Sequence, residues 1–225
     1  MVKIFSKGEA FMAKISPSLL GCDYLELKDL LETLKNCKTD MLHLDVMDGL
    51  FVPNMSFGTP VIDAIAKHTD LPLDVHLMID RPLRYIKQFA KHAEYLGFHY
   101  EAGSPIEETL DAIKAEGVKT CLTIKPATDP QEIFKYLDKC DMVLVMSVEP
   151  GFGGQAFLPS ALTKLRDLRA ECNRRGLNVL LEVDGGVNLE TGKQCVEAGA
   201  DVLVVGSFLF KSDDITECVE KFKKL

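Results

Sequence analysis

The chain has 225 residues, is 47% hydrophobic and 27% charged, and carries a formal net charge of −8, which suits one large α/β domain or two small ones. The negative balance and the lack of any Lys/Arg-rich run argue against nucleic acid or an anionic membrane as the main partner. No stretch approaches the roughly 18 apolar residues of a membrane span. Lys3, Lys7 and Glu9 break the first residues before a signal-peptide core could form, so a cytoplasmic location is expected.

In chain order, AKISPSLL (13 to 20) reads as a first strand and YLELKDLLETLKNC (24 to 37) as a first helix, with Asp23 as its N-cap. The alternation then repeats: MLHLDVM with a helix near 60 to 68, LDVHLM with one near 82 to 93, and YLGFHYEA with one over 106 to 116. TCLTIK is followed by a helix over 130 to 138, MVLVMSV by 159 to 175, VLLEVD by 189 to 198, and DVLVVG by 213 to 224. Apolar strands that each lead into a helix imply a parallel sheet covered by helices, and eight such units predict a single closed (β/α)₈ TIM barrel. A doubly wound open sheet is the alternative, but no G-x-G-x-x-G follows the first strand. The seven cysteines are odd in number, form no C-x-x-C pair and lie mostly in apolar contexts, so they are expected as reduced packing residues.

In such a barrel the loops after the strand C-termini converge on one face, where active sites of this fold lie. The stretch Met41 to Asn54, MLHLDVMDGLFVPN, holds the densest chemistry. Side chains alternate along a strand, so His43 and Asp45 share one face and can give an imidazole and a carboxylate to one metal ion. His76 and Asp184 end their own strands in the same way. Each of the four alone is readily structural; together they form a donor set for Zn²⁺, Mn²⁺, Fe²⁺ or Co²⁺.

Glycine runs stand at other strand ends: Gly151, Gly153 and Gly154 in EPGFGGQ, Gly185-Gly186, and Gly206-Ser207. The last two follow strands 7 and 8, the usual phosphate position of this fold, and point to a small phosphorylated substrate. Each run taken singly is equally a set of tight turns. Met47, Met78 and Met146 form either an apolar collar above the metal or core packing. His99, Glu101, Lys125 and Glu182 also occupy or end strands, but nothing in the pattern separates a supporting role from ion pairing inside the barrel.

The motifs ISPSLL, HLDVMDGLFVPNMSFG, LDVHLMI, VMSVEPGFGGQ and EVDGGV, in this order, resemble the ribulose-phosphate 3-epimerase family over nearly the whole chain from about Lys14. The resemblance implies a (β/α)₈ enzyme that inverts carbon 3 of a ketopentose 5-phosphate with one divalent metal (Zn, Fe, Mn or Co) and no organic cofactor. The metal ligands it implies fall on His43, Asp45, His76 and Asp184, and its acid/base pair on Asp45 and Asp184. Its substrate contacts fall on Ser18, His76, Gly151, Phe152, Gly153, Gly154, Gly185, Gly186, Gly206 and Ser207. A small phosphorylated ketose is the expected partner, with no nucleic acid or membrane, and a homo-oligomer is expected.

The chain departs from the family at two places. Leu50 stands where the family commonly has His, which keeps the relative acting on allulose 6-phosphate open, and residues 1–12 form an N-terminal extension before a barrel domain of residues 13–225. The chemistry suits the residues on independent grounds. Inverting a carbon beside a ketone removes a proton from one face and returns one to the other through an enediolate, so two acid/base groups must flank the carbon. Another phosphate-binding barrel enzyme, such as a decarboxylase or an indole-forming synthase, would want a catalytic Lys; no D-x-K-x-x-D triad is present. A non-catalytic phosphate binder would leave His43, Asp45, His76 and Asp184 with no need of one another.

Overall fold

The computed structural model describes residues 13–225, so the expected extension over 1–12 lies outside the described residues. Within them, parallel strands β1 (Lys14–Pro17), β2 (Leu42–Met47), β3 (Leu73–Met78), β4 (Ala93–His99), β5 (Lys119–Ile124), β6 (Met142–Met146), β7 (Leu180–Asp184) and β8 (Val202–Val205) form one sheet. Its order is β1-β8-β7-β6-β5-β4-β3-β2, and a parallel bridge between Ser18 and His43 joins its two ends, giving the (β/α)₈ TIM barrel.

The β1–β2 seam is sparse for a reason visible in the chain. In a parallel sheet, successive residues turn their N–H groups to alternate neighbours. The Lys14 and Ser18 amides donate to β8, at Asp201 O (2.8 Å) and Val205 O (3.1 Å), so Ile15 and Pro17 face β2. Ile15 N–H is taken by the Asp40 carboxylate at 2.7 Å, and Pro17 has no N–H to give.

The returning segments are α1 (Leu27–Asn36), α2 (Thr59–His68), α3 (Ile86–Phe89), α4 (Ile106–Ala115), α5 (Ser160–Arg175), α6 (Leu189–Glu197), α7 (Ser207–Phe210) and α8 (Ile215–Phe222). Several expectations need correction. Asp23 caps a 3₁₀ turn, Tyr24–Glu26, through the Leu25 amide, and the α-helix starts only at Leu27. The helix expected over 82 to 93 is a 3₁₀ turn, Pro82–Tyr85, and one α turn, because Ala93 already pairs with Leu73 as the start of β4. The segment Pro130–Lys139 is a 3₁₀ helix capped by Asp129. The short α7, directly after β8, falls where no helix was expected.

Alternation along the strands sorts the apolar residues into two cores. The larger fills the space between sheet and helices, with Leu42, Leu44, Val75, Leu77, Val143, Val145 and Val183 all buried. A smaller one fills the barrel interior with Met41, Tyr95, Cys121, Met142, Leu144, Met146 and Val202, so the barrel is a packed plug and not a pore. The polar residues His43, Asp45, Asp74 and His76 are buried as well, on the inward parity of β2 and β3. All seven cysteines are free and six are buried, as their apolar contexts predict. No described helix is long and apolar enough to cross a membrane.

Candidate active site

The inward residues at the C-terminal ends of β2, β3 and β7 meet beneath the barrel mouth. His43, Asp45, His76 and Asp184 each offer a ligand atom, and these atoms all lie within 4.8 Å of one another. His43 Nε2 is 3.3 Å from Asp45 Oδ1 and 3.3 Å from His76 Nδ1, and His76 Nδ1 is 3.4 Å from Asp45 Oδ1. Two donors each about 2.1 Å from one ion stand about 3.4 Å apart at the tetrahedral angle, so this spacing suits a single cation.

The flanking hydrogen bonds point the same way. His43 Nδ1 lies 2.5 Å from Asp74 Oδ2, and a carboxylate can only accept, so His43 donates from Nδ1 and turns Nε2 toward the site. On the other side, His99 Nδ1 donates to Glu101 Oε2 at 3.3 Å. His99 Nε2 then accepts from His76 Nε2 at 2.9 Å, which leaves His76 Nδ1 bare. His43 Nε2, His76 Nδ1 and Asp45 Oδ1 therefore face one another, an arrangement that suits a shared cation. The residues fit a divalent metal by charge, donor type and spacing.

Asp45 divides its two oxygens between tasks. Oδ1 faces the histidines, while Oδ2 accepts the Ser18 hydroxyl hydrogen at 2.6 Å. The strand end is pinned by Ser56, whose hydroxyl donates to Asp45 O at 2.5 Å and accepts the Met47 amide at 2.9 Å. Asp184 is held through its backbone. Its carbonyl accepts Ser147 N–H and Ser147 Oγ–H, both at 2.8 Å, and Ser147 Oγ also lies 2.6 Å from Gly185 O.

The electrostatics divide the two aspartates. Burial raises Asp45, but the His43 and His76 imidazoles outweigh it and hold the carboxyl far below the usual range. Burial and the Asp45 charge push Asp184 up to about 7. Burial lowers His43, yet the Asp45 and Asp74 carboxylates prevail and raise it well above 6.5. His76 is lowered and His99 is pushed down to about 4, in both cases chiefly by burial.

Above these residues lies a cavity of about 450 Å³. Ser18, Asp45 and Asp184 form its floor, and Phe152, Gly153 and Gly154 reach it from the loop after β6. Gly185, Gly186, Gly206 and Ser207 line the side at β7 and β8. His43 and His76, 0% and 1% exposed, sit beneath the floor and do not line it, so the structure places His76 with the donor set. Gly151 also stands outside the lining; its carbonyl accepts Asn54 Nδ2–H at 2.7 Å.

Two of the glycines have strict local reasons. Gly185 has φ +118° and a Cβ there would meet Val148 Cγ2 at 2.4 Å, and Gly186 has φ +63° and a Cβ would meet Phe157 N at 2.5 Å. Gly206 has an ordinary φ of −103°, and a Cβ would make only an ordinary contact with Ser18. Its smallness serves the cavity and not the backbone.

The methionines divide. Met78 and Met146 line the cavity, whereas Met47 packs with Val52 and Met78. Leu50 is 70% exposed and is not among the lining residues; its amide donates to Asp48 Oδ1 in a turn. Sequence reasoning missed Asp74 and left His99 and Glu101 aside. The signal for Asp74 was its parity, two residues before His76 in LDVH and level with His43 across the sheet. His99 ends β4 on the inward side, but the chain alone gives no sign that it meets His76.

Comparison with known proteins agrees with this geometry. The model of the family described as "Ribulose-phosphate 3 epimerase family" matches residues 14–210. The ribulose-phosphate 3-epimerase of Bacillus subtilis is 42% identical over 214 residues, covering 94% of this chain and 99% of that protein. The chloroplastic ribulose-5-phosphate-3-epimerase of Arabidopsis thaliana is 41% identical, over 97% of this chain and 78% of its own length. Among solved structures, the orotidine 5'-phosphate decarboxylase of Pyrococcus horikoshii superposes with a TM-score of 0.67 at 15% identity, over 93% of this chain and 97% of its own. A tryptophan synthase α-subunit from Pyrococcus furiosus gives 0.67 at 16%, over 96% and 99%. These two likenesses speak to the barrel alone.

Proposed function

Because the chain belongs to the ribulose-phosphate 3-epimerase family, and so to the isomerases, we propose that it interconverts D-ribulose 5-phosphate and D-xylulose 5-phosphate by two-base proton transfer at carbon 3, with one divalent metal held in the barrel mouth. The observation that carries this reading is the convergence of His43, Asp45, His76 and Asp184 directly beneath a cavity whose far side is lined by Gly185, Gly186, Gly206 and Ser207. A ketose phosphate spans such a site with its phosphate on the glycine side and its carbonyl end over the donor set.

The four side chains would hold the ion, which when bound acts as a Lewis acid and accommodates the negative charge that develops beside the carbonyl on loss of the carbon 3 proton. The chain's residues do the rest. Asp45 and Asp184 come from β2 and β7 and flank the space above the histidines, so one can remove the proton from one face while the other returns one from the opposite face. Ser18 orients Asp45 through Oδ2, and Ser147 fixes the Asp184–Gly185 turn. Met78 and Met146 present apolar surface to the reacting end, which limits water where charge develops.

The test is turnover of D-ribulose 5-phosphate and allulose 6-phosphate side by side, before and after removal of metal by a chelator. The pentose should react at least about tenfold faster in kcat/KM, a difference of about 1.4 kcal/mol in transition-state binding. Activity should vanish with the metal and return on adding it back. Preference for the hexose would overturn the substrate assignment, and full activity of demonstrably metal-free protein would overturn the metal assignment.

A further inference from the structure

The lining of the cavity is electrostatically lopsided. It includes the carboxylates of Asp45, Glu149 and Asp184, in a chain whose formal net charge is −8. Even with a divalent cation among the donor set, a phosphate dianion at the glycine side meets an unfavourable field unless a positive charge stands near it. Among the described residues, Lys211 is the one Lys or Arg that lines this cavity.

Its position suits that task. Lys211 follows α7, and its amide donates to Ser207 O at 3.1 Å, so it stands one helical turn beyond Ser207 on the same side of the segment. Ser207 and Gly206 line the same cavity. Other lysines near the mouth are engaged elsewhere: Lys125 Nζ lies 4.0 Å from the Phe51 ring centre, and Lys164 Nζ donates to Lys125 O at 3.0 Å. Among the described residues Lys211 is exposed and its ammonium makes no ion pair or hydrogen bond with the protein. A long flexible stem with a compact charge is well suited to meet a phosphate as it docks on backbone amides.

We propose that Lys211 is a binding residue for the substrate phosphate, supplying the charge that the glycine side of the cavity lacks. The inference rests on reading this site as one for a ketose phosphate. It makes Lys211 a determinant of affinity and capture and not of the proton transfers at carbon 3.

The experiment compares metal-loaded wild type with Lys211→Met, which keeps chain length and loses charge, and with Lys211→Arg. With D-ribulose 5-phosphate, Lys211→Met should raise KM about tenfold, leave kcat within about twofold, and flatten the fall of kcat/KM with added salt. Inhibition by inorganic phosphate should weaken by a similar factor, and Lys211→Arg should restore both constants to within about threefold. Wild-type KM, salt response and phosphate inhibition in Lys211→Met would overturn the proposal. If the wild type turned over neither ketose phosphate, the functional reading would fail. Titration of inorganic phosphate into wild type and Lys211→Met, followed by calorimetry, would still decide whether Lys211 binds phosphate.

Discussion

Ser18 Oγ donates a 2.6 Å hydrogen bond to Asp45 Oδ2, tying the end of β1 to the candidate base on β2 across the seam where the barrel closes. Asp45 is 2% exposed, so Ser18→Ala leaves a carboxylate oxygen in the floor of the site without its protein partner. We expect a loss of about 1–2 kcal/mol in transition-state stabilisation, or roughly 5- to 30-fold in kcat/KM, with metal content unchanged. A variant with wild-type kcat/KM would show that this bond does not orient Asp45.

Asp184→Asn tests the two-face assignment. It removes one acid/base group at nearly constant size, and epimerisation should fall by about 10² to 10⁴ or more. Exchange of the carbon 3 hydrogen with deuterated solvent should survive for one epimer only, and Asp45→Asn should show the opposite preference. Both variants are measured metal-loaded, because an amide is a poorer ligand. Equal loss of exchange from both epimers with metal still bound would mean that one aspartate is only a ligand.

Asp74→Asn probes the support of the metal site without relying on turnover. Asp74 Oδ2 holds His43 Nδ1 at 2.5 Å, and weakening this acceptor lowers the basicity of the opposite ring nitrogen. Affinity for Zn²⁺, measured by competition with a chromophoric chelator, should drop about 10- to 100-fold. Unchanged affinity would place the bound ion away from His43 Nε2.

Glu101 links acid stability to the same network. Burial raises its carboxyl, but hydrogen bonds from His99, Thr128 and the Lys125 amide prevail and bring it from an ordinary 4.5 down to about 2. A depressed carboxylate stabilises the fold fully above about pH 4.5 and loses that contribution as pH falls toward about 2. Allowing for the solvent that reaches this side chain, the contribution is about 2 kcal/mol. Urea unfolding should show Glu101→Gln less stable than wild type by that amount near pH 7, with the two curves converging in acid. A constant gap at every pH would assign the loss to packing.

Leu50 turns its side chain to solvent, so Leu50→His should leave the pentose-to-hexose ratio of kcat/KM within about threefold of wild type. A larger change would return Leu50 to the list of specificity residues.

The alternation of apolar strands with amphipathic segments already determined the barrel, because a fully buried strand and a one-sided helix each leave a pattern in the residues that form them. The same periodicity set His43 and Asp45 on one face and His76 and Asp184 at strand ends, and in the structure their ligand atoms do converge. Local patterns were less informative where pairing overrides propensity. The stretch up to Ala93 reads as one helix, but the register of β4 against β3 claims Ala93 as strand and leaves only a 3₁₀ turn and one α turn before it.

What only the tertiary structure decided are relations between residues far apart in the chain. The bonds His43–Asp74 and His76–His99–Glu101 fix which ring nitrogens face the site, and they span up to 31 positions. The Ser18–Asp45 bond depends on closure of the barrel, and the standing of Lys211 as a cavity-lining cation depends on where α7 ends relative to β7 and β8. Periodicity reports which face a side chain occupies. Which side chain it meets on that face is set by strand register and barrel closure, and these are properties of the assembled sheet.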